Sequence, residues 1–313
     1  MPYRKAIPSE ITEIRKLWEE VFGDLDDYIR KFISHFGIEN CYVFETNHKI
    51  VAMAFAIPTS LKSPSKFQNL RYLYACATHP DFQGQGIMAK LLETVYDEAC
   101  KENFAGIFLQ AINQSLAEYY QKLGFEEFFF REHSFYYSHD FQHKEHKECT
   151  KDAKKISVLC ENTSRPLRLK NIDLLTPENY RIKRSQKLNS HYFVNWEEGF
   201  FRFLNETETN FCEYKDTIFS FKAIMNNIVV DELLGDTPKE QIALLLFEEL
   251  PNFDAVHIRS PLTANCLLHT ANRLQQTAFC CGQIKWCKPV KEKFDAGRAA
   301  ADLGNCWFAF AME

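Results

Sequence analysis

The sequence predicts an α/β fold: one mixed sheet with helices on its faces, followed by a second, related α/β unit. Three observations carry this. The chain has 313 residues, enough for about two domains at roughly 150 residues each. Apolar residues make up 46% and charged residues 25%, the balance of a globular chain and not of a disordered or fibrous one. Apolar spacing alternates between helical and strand periods along the first 138 residues.

The order there is helix-helix-strand-strand-strand-helix-strand-helix-strand. Ile11, Ile14, Leu17, Trp18 and Val21 line one face of a helix over Ser9–Phe22. Asp24 is the expected N-cap of a second helix reaching His35. Cys41–Glu45 and Ile50–Ile57 read as a hairpin about a turn at Asn47–Lys49, and the prolines and serines of Pro58–Lys66 as a loop. Leu70–Thr78 is the next strand, His79–Gln85 a turn, and a helix opens near Gly86 with Ile87, Leu91, Leu92, Val95 and Ala99 at helical spacing. Ala105–Ile112 is a strand and Gln114–Lys122 a helix, ended by Gly124 in a left-handed cap. Phe125–Tyr137 is a long aromatic strand.

These readings divide the chain into a first domain at 1–140, a polar linker at 141–155 and a second domain at 156–313. The second half is less legible. Trp196–Leu204 and Lys239–Glu249 read as helices, Ile218–Ile224 with Ile228–Leu234 as a hairpin, and Ala255–Arg259 and Trp307–Ala311 as strands. A hairpin, an amphipathic helix and a further strand follow one another in both halves.

Composition excludes several classes. The net charge of -5 lacks the basic face a nucleic-acid binder needs. No apolar run reaches the length of a membrane span, and the N-terminus lacks the apolar stretch of a signal peptide. The expectation is a cytoplasmic protein whose 11 cysteines are reduced thiols, mostly small buried hydrophobes. His139, His143, His146 and Cys149 look like metal ligands, but interleaved Lys and Glu favour a solvated loop, and no metal is expected.

Chemistry concentrates in two stretches. In the first, the strand Cys76-Ala77-Thr78 leads through His79 to Gln83-Gly84-Gln85-Gly86-Ile87-Met88. Two glycines at a helix start turn successive N–H groups into one concavity, where the helix dipole adds partial positive charge. The result is a cradle for a diphosphate. It lacks the Lys-Ser/Thr of a triphosphatase loop and the third glycine of a dinucleotide fingerprint. In the second stretch, Asn113 ends a strand, a helix carries adjacent Tyr119 and Tyr120, and Gly124-Phe125 opens another strand.

Together these stretches resemble the GNAT superfamily of acyl-CoA-dependent N-acetyltransferases. The family turn Gln/Arg-x-x-Gly-x-Gly/Ala appears as Gln83–Met88, with Met88 in place of the last small residue, which narrows the approach to the cofactor. The family's later Asn, Tyr and Gly-Phe fall on Asn113, Tyr120, Gly124 and Phe125. The resemblance covers about residues 1–138. Ala77-Thr78-His79-Pro80, with the opening helices, looks more particularly like tandem enhanced-intracellular-survival-like members, whose second acetyltransferase-like domain is degenerate. It implies a mixed, mostly antiparallel sheet flanked by helices.

It also implies acetyl-CoA as acyl donor, a small-molecule or peptide amine as acceptor, and direct attack of the amine on the thioester. Cys76, Ala77, Thr78, Gln83, Gly84, Gln85, Gly86, Ile87, Met88 and Asn113 would hold the donor, with Tyr120 as general acid. Many members place a Glu on the strand before the turn, but Arg71–Thr78 contains no carboxylate. A water chain, a carboxylate from the opening helices (Glu19, Glu20 or Asp24) or the terminal carboxylate of Glu313 is expected as base, and Glu313 is preferred. The alternatives are a CoA-binding or scaffold module that has lost its chemistry, and transfer of an aminoacyl or longer acyl group, for which no basic stripe suited to a tRNA donor is visible. Oligomeric state is not legible.

Overall fold

The computed structural model describes residues 2–62, 67–142, 169–189, 191–261, 278–287 and 306–307. Strand β1 (Tyr3–Lys5) pairs with β2 (Cys41–Thr46). Between them, α1 (Ile11–Phe22) buries Ile14, Leu17 and Trp18, and α2 (Asp26–Phe36) buries Ile29, Phe32 and Phe36. The N-cap of α2 is Leu25, not Asp24. Asp24 is drawn away because its Oδ2 accepts a hydrogen bond from Trp18 Nε1 at 2.7 Å.

A long central hairpin follows, β3 (Lys49–Lys62) with β4 (Phe67–Thr78). The loop expected from Pro58 is instead strand as far as Lys62. Pro58 fits because it falls in a gap on the other edge of β3: β2 pairing stops at Phe55, and β8 (Tyr192–Asn195) joins only from Ser60. Next come α3 (Ile87–Lys101), β5 (Gly106–Leu109), α4 (Gln114–Lys122), β6 (Glu126–Tyr137) and the short α5 (Ser138–Gln142). Gly124 takes the left-handed conformation its place predicts, with φ +87°.

The second half contributes β7 (Asp173–Leu174), α6 (Pro177–Lys187), α7 (Glu198–Glu206), β9 (Asn210–Tyr214), β10 (Thr217–Ile224), β11 (Asn227–Leu234), α8 (Lys239–Glu249), β12 (Ala255–Pro261), β13 (Ala278–Trp286) and β14 (Cys306–Trp307). The expected hairpin and helix are β10–β11 and α8. Of the expected closing strand, Trp307 lies in β14, and 308–311 lie outside the described residues.

One sheet crosses the boundary expected at 141–155. Its order is β1-β2-β3-β4-β5-β13-β6-β12-β11-β10-β9-β7, with β8 beside β3 and β14 beside β8. Among the described residues only β4–β5, β11–β12 and β8–β14 run parallel, so the sheet is mostly antiparallel with helices on its faces. β13 lies between β5 and β6, paired with both. Thus the first half's sheet is completed by a strand from the far end of the chain. Both halves also run hairpin, helix, parallel strand: β3–β4, α3, β5 and β10–β11, α8, β12.

Three cores sit against this sheet. One, on the α1–α2 face, joins Trp18, Phe32, Phe55 and Tyr72 to Trp196, Phe200 and Phe203 of the second half. A second packs α3 and α4 on the opposite face, and a third packs α8 on β10–β12. Among the described residues no helix is long and apolar enough to cross a membrane. Among the described residues no group of three or more His, Cys, Asp or Glu is placed to hold a metal; His143, His146 and Cys149 lie outside them.

The cysteines divide. Cys41, Cys76 and Cys212 are free thiols, and burial raises the pKa of all three, that of Cys76 to about 12. Cys100 and Cys287 form a disulfide, against the expectation of reduced thiols throughout. The end of α3 and the residue after β13 meet where Cys287 N–H donates to Ala105 O at 2.8 Å, across a sequence separation of 187. No spacing rule reveals such a pair.

Candidate functional site

The site begins with a defect in β4. Met53 pairs with Ala77 but Phe55 with Tyr74, so two residues of β4, Ala75 and Cys76, face the one residue Ala54. This is a β-bulge, and Ala75 adopts φ +50° to make it. A non-glycine residue in that region costs of order 1–3 kcal/mol and is held by the pairing on either side. The bulge bends β4 away from β5. Their parallel pairing ends at Tyr72–Phe108, after which β4 runs on to Thr78 while β5 stops at Leu109. Between the diverging strands, the edge of Cys76, Ala77 and Thr78 has no strand partner on the β5 side among the described residues. This divergence shortens the strand expected over Ala105–Ile112.

β4 then enters the glycine turn. Gly84 and Gly86 both have φ +73°, and a Cβ built on either would meet no atom within 4 Å. The glycines therefore serve the backbone conformation, not a tight contact. Gly86 is the N-cap of α3. Among the described residues, the amide N–H groups of Gly84, Gln85, Gly86, Ile87 and Met88 have no hydrogen-bond acceptor. They lie at the positive end of a 15-residue helix. The side chains around them are occupied inwardly. Gln83 Nε2 donates to Thr78 O at 3.0 Å and Gln85 Nε2 to Asp81 O at 3.4 Å, bracing the turn. Ile87 is buried and Met88 packs on the α3 core, so the long side chain of Met88 leaves its amide clear.

Asn113 serves α4 as its N-cap, accepting from Leu116 N–H at 2.9 Å. This fixes α4 against the gap. Of its adjacent tyrosines, Tyr120 is buried and its hydroxyl lies beside the Cys76 thiol at the bulge. Burial pushes its pKa well above the ordinary phenol value, with Cys76 and Tyr119 adding to the rise. Tyr119 is half-buried, its pKa also raised by burial. The structure thus gathers Cys76–Thr78, Gln83–Met88, Asn113 and Tyr120 at one end of β4. Glu313 lies outside the described residues.

On the α1–α2 side of β4 the hydroxyls of Tyr28 and Tyr74 meet at 3.0 Å. Desolvation lifts Tyr28 to about 12, with nearby Asp24 also raising it. Of the three carboxylates singled out on the opening helices, Asp24 stands by this pair, and Glu20 instead contacts His79 at 3.3 Å. β4 offers no carboxylate: Arg71 is buried and paired with Tyr42 and Glu102.

The second half repeats the bulge, with Asp231 the extra residue of β11 against β10, but among the described residues it builds no glycine turn. β11 and β12 pair from Asn227–Ala255 to Val230–Ile258. The link from β11 to α8 has one glycine, Gly235, and a Cβ added there would strike Thr217. Glu232 on β11 is locked by Arg184 and Tyr180. A groove runs from Gly86 along α3 to Phe125, and two of its lining residues escape sequence reading: Lys90, masked by its helical spacing, and Lys285, which arrives on β13 with no local motif.

Comparison with known proteins bears on this geometry. Residues 2–128 match the family model for the acetyltransferase (GNAT) domain. The bulge, the strand gap, the glycine turn and α4 all fall inside this GNAT-matching segment. Solved structures extend the likeness in fold to most of the chain. A GCN5-related N-acetyltransferase from Kribbella flavida is 13% identical with TM-score 0.61, over 90% of this chain and 70% of that one. Eis1 from Mycobacterium abscessus is 10% identical with TM-score 0.60, over 91% and 74%. A putative acetyltransferase from Pyrococcus horikoshii is 11% identical with TM-score 0.53, over 98% and 94%. No curated protein matches by sequence.

Proposed function

We propose that the protein transfers an acetyl group from acetyl-CoA to an amine. The observation that carries this is the strand gap of β4 and β5, opening at one end onto the unpaired amides around Gly86 and bordered by the Tyr120 hydroxyl on Cys76. The amides of Gly84–Met88 bind the donor diphosphate. The open edge of Cys76–Thr78 pairs with the pantetheine arm, and an N–H there polarises the thioester carbonyl. The amine nitrogen bonds to the carbonyl carbon as the C–S bond breaks. Tyr120 gives its proton to the leaving thiolate, and a base takes the proton from the amine. Holding both reactants in the gap is the largest contribution. The acceptor enters beside Asp24, Tyr28 and Tyr74, where the carboxylate favours a cationic amine. The second half is a degenerate repeat that supports the first.

Glu313 and Asp24 are the candidate bases. Blocking the terminal carboxylate of Glu313 with one added residue lowers turnover with little change in donor affinity; unchanged turnover, set against a loss in Asp24→Asn, assigns the role to Asp24.

The test is thermal stabilisation by acetyl-CoA, followed by thiol release across an amine panel with parent and Tyr120→Phe. Release that needs both the amine and the Tyr120 hydroxyl supports the proposal. One observation favours a second reading, a CoA-binding module: β4 carries no carboxylate. Binding with no release to any amine would establish that reading. Gly86→Val places a β-branched residue at φ +73°, which disfavours the turn by roughly 1–2 kcal/mol or more. Calorimetric titration is expected to show acetyl-CoA binding at least about 10-fold weaker.

A further inference from the structure

The groove beside the glycine turn holds a cation from the other half of the chain. It encloses about 390 Å³, opens at Gly86, follows α3 past Lys90 and Glu93, and is bounded by Leu123, Phe125 and Lys285. Lys285 reaches it because β13 lies against β5, with Lys285 opposite Ile107. The strand end is tied to α3 at two points: Tyr96 Oη donates to Trp286 O at 3.1 Å, and Cys287 is bonded to Cys100. The Lys285 ammonium lies over the Tyr96 ring, 4.4 Å from its centroid. Its Cε passes Gly124, where an added Cβ would sit 3.6 Å away. Among the described residues Lys285 forms no ion pair. Burial lowers its pKa, with Glu93 and Asp97 opposing the shift.

A half-buried ammonium, held by an aromatic ring on a tethered strand, is suited to a localised dianion. From Gly86 to Glu93 the helix rises about 10 Å at ~1.5 Å per residue, so the cation stands further along the groove than the diphosphate amides. Lys90 flanks the path, its ammonium 5.7 Å from the Tyr3 ring centroid. We propose that Lys285 recognises the 3′-phosphate of the CoA donor, so that a strand from the C-terminal half completes the donor site of the N-terminal half. This rests on the acetyl-CoA reading above and adds a residue and a ligand group to it.

The experiment is calorimetric titration of CoA and of 3′-dephospho-CoA into the full chain, wild type against Lys285→Gln and Lys285→Arg, with thermal melts of each variant. The wild type is expected to prefer CoA. Lys285→Gln should weaken CoA by about 10-fold and leave dephospho-CoA within about 2-fold, and Lys285→Arg should keep most of the preference. Equal weakening of both ligands would overturn the assignment, since Lys285 would then only hold the strand. Unchanged CoA affinity in Lys285→Gln would overturn it as well, while leaving the donor reading standing. If the wild type binds neither ligand, the donor reading itself falls and takes this assignment with it.

Discussion

Replacing Tyr120 with Phe is expected to lower kcat for acetyl transfer by about 10²–10⁴-fold, the range of one positioned proton donor. The affinity for acetyl-CoA should stay within about 3-fold. The substitution removes one oxygen and keeps the ring, which packs 5.7 Å from Phe125 and fills its place in the α3 core. Losing the hydroxyl's contact with Cys76 costs at most roughly 1 kcal/mol of stability, too little to unfold the chain. Burial raises the phenol pKa, so the group stays protonated at and above neutral pH. The kcat profile should therefore show no falling limb from Tyr120 below about pH 10. Steady-state kinetics with saturating amine check both parts. A Phe variant with unchanged kcat would remove Tyr120 from the chemistry.

Replacing Glu232 with Ala is expected to cost about 3–5 kcal/mol of folding stability, because it leaves a buried cation uncompensated. The Arg184 and Glu232 side chains are 1% and 0% exposed and meet at 3.0 Å. Tyr180 also donates to Glu232 at 2.9 Å, and Arg184 Nη1 to Val194 O at 2.9 Å, on the strand that joins β3. The pair thus couples α6, β8 and β11. Loss of several kcal/mol is a large share of the roughly 5–15 kcal/mol that holds an ordinary domain. Urea unfolding should show it as a lower midpoint. The double variant Arg184→Met, Glu232→Leu should recover part of the loss, since it removes both charges at once. A small effect in the single variant would mean that water or another group screens Arg184.

Local signals made the first half legible. The stripes of α1 and α3, the turn at Gly84–Gly86 and the Asn113-to-Phe125 stretch each lie within a short window, and the helices form nearly where their spacing puts them. What stayed hidden is set by distant pairing. The bulge at Ala75 follows from register against β3, and nothing in Tyr74-Ala75-Cys76 announces it. Pro58 reads as a loop residue until its position between β2 and β8 is known. β13 fills the slot between β5 and β6 from about 150 residues away, so neither Lys285 in the groove nor the Cys100–Cys287 bond has a sequence signature. The second half is fainter because α8 buries apolar residues on most of its circumference, which blurs the amphipathic contrast, and α6 buries only Tyr180 and Arg184. Asp24 shows the opposite error: a residue type suited to capping α2 is taken instead by Trp18.

A crystal structure of the protein with acetyl-CoA bound tests the donor site most directly. Diphosphate oxygens are expected within hydrogen-bond distance of the amides between Gly84 and Met88, with the pantetheine arm along Cys76–Thr78 and the thioester sulfur facing the Tyr120 hydroxyl. A complex with the donor bound elsewhere and these amides solvated, or with the thioester remote from Tyr120, would contradict this arrangement.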